Sequence, residues 1–354
     1  MKRIVIVSDA WFPQVNGVVR TLNETVIRLR ARGYQVVLIT PDLFYTLPCP
    51  GYSEIRLAVA PRMTVRRMLN QTRPDIVHIS TEGPLGWSAR AWCIANDMPF
   101  TTAFHTRFPD YAAARTGLSA ERFWPLMRRF HAPSNAVLVA THGLIDELNE
   151  RGIMQTRIWS RGVDLDLFHA CQPPHAAMRD LPRPVMLSVG RVAVEKNIEA
   201  FLSVDVPGSK VVVGDGPMLA QLASKYPDAI FLGKLGGAEL ASAYSAADLF
   251  VFPSRTDTFG LVMVEALASG VPVAGYPVAG PLDVVGATGN GPGAIYSGQV
   301  GVLDEDLSVA IRAAQDCGAE DCVAAARFYD WENTVDQFVA ALTDALRPML
   351  HQAA

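Results

Sequence analysis

Two cations follow an apolar segment in the second half of the chain, in the sequence SVGRVAVEKN at residues 188–197. The apolar run is typical of a buried strand that stops at Gly190, and Arg191 and Lys196 lie five residues apart beyond it. Cationic side chains beside the end of a strand, with a helix N-terminus to follow, form a site for a diphosphate. Spacing alone leaves open a pair of solvated cations in a surface loop.

An acidic segment, FPSRTDTFGLVMVEALASG at residues 252–270, follows a later apolar strand. Asp257 lies in the loop, Gly260 begins a helix, and Glu265 lies about a turn and a half into it. A carboxylate at Glu265 can accept hydrogen bonds from ribose hydroxyls, while Asp257 and the backbone N–H groups near Phe259 would face a sugar and its phosphates. Taken singly, Asp257 is also typical of a helix-capping residue and Glu265 of a solvated helix charge.

A third segment, VVVGDGP at residues 211–217, has two glycines after a strand. The third glycine of the dinucleotide-binding fingerprint is missing, because Leu219 stands at its position. The segment therefore argues against a dehydrogenase and favours a tight loop, with Gly216 near a nucleotide base.

Three groups in the first half of the chain follow predicted strands. Asn16 and Gly17 begin the first helix, His105 ends the strand in TTAFHTRF, and Arg161 and Asp164 lie in SRGVD. A single histidine is more often structural, but ligands bind at the carboxyl ends of parallel strands, which gives His105 a possible role in a cleft. The pair Asp164 and Asp166 resembles a DxD metal motif, yet no cluster of His or carboxylate residues accompanies it, so no metal is expected.

Short β-branched runs alternate with helical patterns along most of the chain, which predicts βαβ units and parallel sheets. We expect two doubly wound α/β domains that face each other across a cleft. The proline-rich segment 171–184 is predicted to be the linker between a domain at 1–170 and a second at 185–330. A C-terminal helix at 331–354 is expected to return to the first domain, and the whole tail from Asp304 to Leu350 has a helical pattern. The predicted strands are Arg3–Val7, Gln35–Thr40, Ile55–Val59, Asp75–Ser80, Phe100–His105, Ala136–Ala140, Val185–Val189, Lys210–Val213, Ile230–Leu232, Leu249–Phe252 and Val271–Ala274.

Composition narrows the class of protein. Of 354 residues, 50% are hydrophobic and 19% charged, which excludes a disordered or fibrous chain. The N-terminal apolar run of four residues is too short for a signal peptide, and the apolar stretch 266–282 is cut by prolines and glycines, so a spanning helix is not expected. The five cysteines lack the spacing of a zinc or disulfide framework, which favours a cytoplasmic protein with reduced thiols. They are Cys49, Cys93, Cys171, Cys317 and Cys322.

The charge is distributed unevenly between the two halves. Residues 1–164 carry 20 Lys and Arg against 13 Asp and Glu, a balance of +7, and residues 165–354 carry 11 against 22, a balance of −11. The first half is therefore predicted to approach something anionic, although unlike domains can also differ in charge by chance. The basic residues with neighbouring apolar groups favour an anionic membrane surface and no nucleic acid. The candidates are Arg62, Arg66, Arg67, Trp124, Arg128 and Arg129.

Trp124 is the aromatic residue expected to contact the membrane. Phe123, Met127 and Phe130 are spaced four and three residues apart, so they fit a buried helix face as well as a membrane-docking face. Trp124 falls outside that stripe.

Taken together and in order, these motifs resemble the family-four retaining glycosyltransferases of GT-B fold. The resemblance covers essentially the whole chain, from PQVNGV through the FHT histidine, SRGVD, GR-x4-K and GDGP to two acidic residues eight apart. It implies two Rossmann-like domains and a hexosyltransferase that needs no metal or cofactor. Many relatives have Glu where this chain has Asp257, which is a methylene shorter and bears on the choice of sugar.

The resemblance also implies roles for individual residues. His105, Asp257, Arg191 and Lys196 would be catalytic, with the two cations gripping the donor diphosphate as negative charge develops on it. Asn16 would lie on the acceptor side with the basic residues. The donor would be bound by Gly17, Arg191, Lys196, Gly216, Asp257, Phe259, Gly260, Leu261 and Glu265.

The substrates are argued from the same resemblance and from the basic first half. The expected reaction moves glucose or glucuronate from a UDP-sugar to a membrane lipid, diacylglycerol first, at the inner face of the cytoplasmic membrane. GDP-mannose is the second choice of donor, and a lipid or glycan the corresponding acceptor. A soluble acceptor and a non-enzymatic nucleotide-sugar sensor remain as alternatives.

Overall fold

The computed structural model describes residues 1–14, 17–49, 52–105, 107–257 and 259–350. The described residues divide into two compact units, one formed by residues 1–161 with 331–350 and the other by residues 162–330. Residues 162–170, assigned to the first domain in the sequence analysis, thus pack with the second unit. There the backbone N–H of Val163 donates to the Tyr329 carbonyl at 2.7 Å, and the ring of Phe168 packs on Tyr244 at 5.7 Å.

The helices and strands alternate along the chain. The first half contains β1 (Arg3–Val7), α1 (Gly17–Ala31), β2 (Gln35–Ile39), β3 (Thr46–Cys49), β4 (Tyr52–Ala58), α2 (Arg62–Thr72), β5 (Ile76–Ile79), α3 (Pro84–Ala95), β6 (Phe100–Phe104), α4 (Phe108–Thr116), α5 (Trp124–His131), β7 (Ala136–Val139), α6 (His142–Glu150) and β8 (Thr156–Ile158). The second half contains β9 (Val185–Val189), α7 (Ile198–Ser203), β10 (Ser209–Val213), α8 (Leu219–Lys225), β11 (Ile230–Gly233), α9 (Gly237–Ser245), β12 (Leu249–Phe252), α10 (Leu261–Ala268), β13 (Val273–Gly275), α11 (Ala279–Val284), β14 (Gly301–Leu303), α12 (Leu307–Ala314), α13 (Ala319–Ala326) and α14 (Trp331–Leu350).

Each unit contains a six-stranded parallel sheet, which confirms the predicted α/β fold class. The strand order is β2-β1-β5-β6-β7-β8 in the first unit and β11-β10-β9-β12-β13-β14 in the second. The direction of strand addition reverses between β1 and β5, and again between β9 and β12. Ligands of doubly wound folds bind outside the carboxyl ends of the strands at such reversals.

The C-terminal helix packs on the first unit, as the sequence predicts. Val335, Phe338 and Leu342 of α14 are fully buried in one cluster with Ile4 and Ile6 of β1. Their 3.6-residue spacing places them on one face of the helix, and burial of that face is what stabilises the docking.

Two predicted elements differ in the structure, and two short strands were not predicted. The strand expected at Ile55–Val59 belongs to an antiparallel hairpin, β3–β4, which lies outside the six-stranded sheet. The tail is three helices rather than one continuous pattern, since Gly318 precedes α13 and Asp330 precedes α14 in extended conformations. The strands β8 and β14 have three residues each, too few to show the alternating pattern of a strand in the sequence.

Candidate active site

Two loops at the strand-order reversal of the second unit are joined by an ion pair. Lys196 ends a short 3-10 turn after β9, and its Nζ lies 2.6 and 2.7 Å from the two carboxylate oxygens of Asp257, after β12. Asn197 follows in the left-handed conformation, with φ of 52°, and its side-chain amide donates to the Pro253 carbonyl at 3.1 Å. The pair is half-buried, so the cation is held in place while remaining open to a ligand.

The loops after β9 and β10 cross in close backbone contact. A Cβ atom at Gly214 would lie 1.8 Å from the Gly190 carbonyl oxygen, and one at Gly216 would lie 2.4 Å from that of Val192. Both distances are sterically impossible, so these positions require glycine. The predicted loop at GDGP therefore packs directly on the segment that carries Arg191, which is exposed.

The loop after β12 is shaped by two further glycines. Gly260 has φ of +85° at the N-cap of α10, and a Cβ there would meet Met263 and Phe252 at 2.8 and 2.9 Å. Gly280, in α11, passes under the loop so closely that its Cβ would lie 2.7 Å from the Asp257 carbonyl oxygen. The loop thus brings Asp257 next to the start of α10, where Leu261 is the first helical residue and unpaired N–H groups favour anions.

Glu265 is not a solvated helix charge. It is 2% exposed in α10, and its Oε2 accepts a hydrogen bond from the Tyr244 hydroxyl at 3.0 Å. Tyr244, on α9, is fully buried and was not identified from the sequence. A buried carboxylate needs such donors, because an unpartnered charge is costly to bury. Phe259, one of the predicted donor-binding residues, has a buried side chain that packs on Tyr329 at 5.7 Å, which leaves its backbone as the group that can face a ligand.

In the first unit, His105 lies at the carboxyl end of β6 and is 7% exposed. Its Nδ1 is 2.9 Å from a guanidinium nitrogen of Arg161, and its ring packs against Trp159 at 5.4 Å. Burial, the positive charge of Arg161 and the neighbouring His78 hold the pKa of His105 well below its ordinary value. The imidazole is therefore neutral near pH 7. Gly17 is exposed at the start of α1, and Asn16 lies outside the described residues.

A buried carboxylate at the other strand-order reversal was missed in the sequence. Asp9, after β1, accepts hydrogen bonds from Thr81 Oγ1 and from the backbone N–H groups of Leu85 and Gly86 at the start of α3. A Cβ at Gly83 would lie 2.4 Å from the Asp9 carboxyl carbon, so glycine is required there. Burial raises the pKa of Asp9 to about 6. In the sequence, only the position of Asp9 directly after the first strand could have pointed to this buried carboxylate.

The arginines predicted to face a membrane are on the surface. Arg62, Arg66 and Arg67, here called the α2 arginines, are exposed, as are Arg128 and Arg129 on α5. Arg66, Arg67 and Arg73 line a groove of about 600 Å³ together with Met63, which is 72% exposed.

Trp124 is a correction to the sequence analysis. It is 2% exposed and stacks on Phe104 of β6 with ring centroids 5.9 Å apart, so it belongs to the core and does not contact a membrane. Met127 and Phe130 are also buried, so of the two alternatives for them, a core face and a membrane-docking face, the core face is correct. The tryptophan lies at the first residue of α5, where the side chain turns back towards the sheet, and a helical wheel does not show this.

Asp164 acts as a local cap. Its Oδ1 accepts hydrogen bonds from the backbone N–H groups of Asp166 and Leu167, both at 3.1 Å. Within the described residues, no group of three or more His, Cys, Asp or Glu side chains is arranged to hold a metal ion. In the same part of the chain no helix has the length and apolar character needed to span a membrane.

Comparison with known families identifies the class. The family model for Glycosyltransferase Family 4 matches residues 15–167. The family model for Glycosyl transferases group 1 matches residues 183–301. Sucrose-phosphate synthase from Thermosynechococcus elongatus superposes with a TM-score of 0.72 at 20% identity and full coverage of both chains, which shows the fold. Two doubly wound units with these matches define a glycosyltransferase of GT-B fold.

Curated relatives narrow the class to a family. A GDP-mannose-dependent alpha-mannosyltransferase of Corynebacterium glutamicum is 31% identical over 82% of this chain and 76% of its own. The sulfoquinovosyl transferase SQD2 of Arabidopsis thaliana is 30% identical over 80% of this chain, which spans 61% of that protein. An alpha-monoglucosyldiacylglycerol synthase of Streptococcus pneumoniae is 27% identical over 77% and 70% of the two chains. This chain belongs to glycosyltransferase family 4, which confirms the resemblance.

Proposed function

We propose that this glycosyltransferase moves a hexose from a nucleotide sugar to a membrane lipid, with retention of anomeric configuration and without a metal. The observation that carries the proposal is the Lys196–Asp257 pair, which places a cation and a carboxylate together beside the start of α10. Arg191 and Lys196 bind the donor diphosphate, and Glu265 binds the ribose. Asp257 and His105 contact the transferred sugar.

The chemistry follows from where charge develops. When the bond from the anomeric carbon to the phosphate breaks, negative charge grows on the diphosphate and positive charge on the sugar. Two cations and the N–H groups at the start of α10 stabilise the diphosphate, as fixed donors stabilise other developing anions. For retention, the acceptor hydroxyl attacks the face that the diphosphate leaves, and a phosphate oxygen takes its proton.

The acceptor is proposed to be diacylglycerol or a related lipid. The α2 arginines supply positive charge, and each basic residue near an anionic membrane contributes roughly 1 kcal/mol. The preceding hairpin adds an apolar surface. Leu47 of β3, Tyr45 just before that strand and Val59 just after β4 are 51%, 76% and 44% exposed. Strand alternation and the pairing of Leu47 with Leu57 place these side chains on one face of the hairpin. The name of the Streptococcus pneumoniae relative supports the same acceptor.

Two donors are candidates. UDP-glucose or UDP-glucuronate follows from the resemblance to the diacylglycerol-modifying subgroup, and the glucose of the named synthase supports it. GDP-mannose is the second candidate, favoured by mannosyltransferases that are 30 to 31% identical to this chain. No contact among the described residues distinguishes uracil from guanine.

A donor panel tests the proposal. Purified protein receives UDP-glucose, UDP-glucuronate or GDP-mannose separately, with diacylglycerol in anionic liposomes, with and without a chelator. A new glycolipid of α configuration, formed equally well with the chelator, is expected from one of them. A β-configured product would contradict retention, loss of activity with the chelator would contradict metal independence, and modification of a soluble glycan alone would contradict the lipid acceptor.

A further inference from the structure

The imidazole of His105 has one possible arrangement of its proton. Its Nδ1 lies 2.9 Å from Nη2 of Arg161. A guanidinium has only donors, so Nδ1 must accept, and the proton of the neutral ring must be on Nε2. That Nε2–H is buried and meets no hydrogen-bond acceptor among the described residues.

We infer that Arg161 is a positioning residue that acts through His105, holding the ring as the tautomer whose Nε2–H is offered to an oxygen of the ligand. This inference rests on the proposed function, under which the ligand oxygen is a hydroxyl of the transferred sugar. A buried donor without an acceptor is unfavourable by itself, and a hydroxyl at the carboxyl end of β6 would satisfy it.

Arg161 is held firmly enough to do this. It is 7% exposed, its Nη1 donates to the Trp159 carbonyl at 3.4 Å, and its guanidinium lies 5.8 Å from the Trp159 ring. Trp159 in turn packs on His105 at 5.4 Å and on Phe338 of α14 at 4.8 Å. The C-terminal helix thus supports the ring against which both side chains rest.

The same contact fixes the charge of the histidine. A proton on Nδ1 would face the Arg161 cation directly, since Nη2 of Arg161 lies 2.9 Å from that nitrogen. Arg161 stays charged near pH 7, although burial lowers its pKa to about 10. His105 therefore serves as a hydrogen-bond donor and not as a general acid that shuttles protons.

Nitrogen NMR of protein labelled on its histidines tests the inference without any substrate. In the wild type, the His105 signals, assigned by comparison with His105→Gln, are expected to show a proton on Nε2 and none on Nδ1 from pH 6 to 8. Arg161→Met is expected to give a mixture of tautomers, and Arg161→Lys, which retains a donor, to restore the wild-type signals in part. Arg157→Met is the matched control, because Arg157 is exposed and lies two residues before Trp159, and this variant should give the wild-type spectrum. A wild-type spectrum with the proton on Nδ1, or an unchanged spectrum in Arg161→Met, would overturn the inference.

Transfer rates separate this inference from the proposed function. Arg161→Met is expected to lower kcat on the order of tenfold to a hundredfold, the effect of one charge-assisted hydrogen bond, and to leave nucleoside diphosphate affinity unchanged. Arg161→Lys should recover part of that loss. Wild-type turnover in His105→Gln would refute the role of His105 in the proposed function, while the spectra would still decide the tautomer. A large loss in His105→Gln with wild-type turnover in Arg161→Met would refute the inference alone.

Discussion

Replacing Lys196 with alanine removes the cation that two loops of the second unit position together. In the free protein Lys196 is bound by both oxygens of Asp257, and the two side chains are 28% and 25% exposed. Breaking a pair that solvent reaches is expected to lower the free energy of unfolding by no more than about 1 kcal/mol, which shifts Tm by about 2 to 4 °C. The variant should therefore fold.

Binding and turnover should fall much further. One charge-assisted hydrogen bond to a phosphate contributes about 1.5 to 3 kcal/mol, so the Kd for the nucleoside diphosphate should rise about tenfold to a hundredfold. The diphosphate gains charge as it leaves, and a donor aimed at developing charge contributes on the order of 10² to 10³ in kcat. We therefore expect kcat/KM to fall at least about a thousandfold.

Calorimetric titration with the nucleoside diphosphate and initial rates of glycolipid formation measure the two effects. Lys225→Ala is the matched control, since Lys225 forms an ion pair with Glu199 in the same unit and has no proposed role in donor binding. The control should bind and turn over as the wild type does. Near-normal affinity and turnover in Lys196→Ala would refute the assignment of the diphosphate site.

Three further predictions address the remaining groups. Because the pKa of Asp9 is raised from 3.8 to about 6, the folded state holds a proton that the unfolded state loses, so the free energy of unfolding should decline by about 2 kcal/mol as pH rises from 4 to 7. The free energy of unfolding of Asp9→Asn, measured with urea at each pH, should not show this decline. Equal declines in the variant and the wild type would contradict the prediction. Tyr244→Phe removes the hydroxyl that donates to Glu265 and should raise the donor KM about tenfold, and an unchanged KM in steady-state kinetics would argue against Glu265 as the ribose ligand. Changing all three α2 arginines to glutamine should weaken sedimentation with anionic liposomes about a hundredfold and leave binding to neutral liposomes unchanged, and equal binding to anionic liposomes would remove this surface from the account.

Much of the fold follows from the sequence because its periodicities are local. The buried strands β1, β9 and β12 have the predicted bounds, and the predicted apolar face of α14 is the face that is buried on the first unit. The β3–β4 hairpin was not predicted as a pair, because antiparallel pairing outside the main sheet depends on register and leaves little pattern in four residues.

The site residues were identified from their order along the chain, but their partners were not. The resemblance implies that Lys196 approaches the donor diphosphate and Asp257 the transferred sugar, and it does not show that the two side chains bind each other. Tyr244 and Arg161 act through side chains that are distant in sequence, and such contacts exist only once the helices and strands are packed. Trp124 was wrongly predicted to be exposed. It lies outside the apolar stripe of α5, yet as the first residue of that helix it is buried.

The central claim is that the sugar leaves the nucleotide and arrives on a lipid. The most direct measurement follows both products at once, with a donor labelled in its sugar and diacylglycerol in anionic liposomes. We predict one labelled sugar in the lipid fraction for each nucleoside diphosphate released. Release of nucleoside diphosphate with the label absent from the lipid would contradict a lipid acceptor, and the absence of both products from every donor would contradict transfer itself.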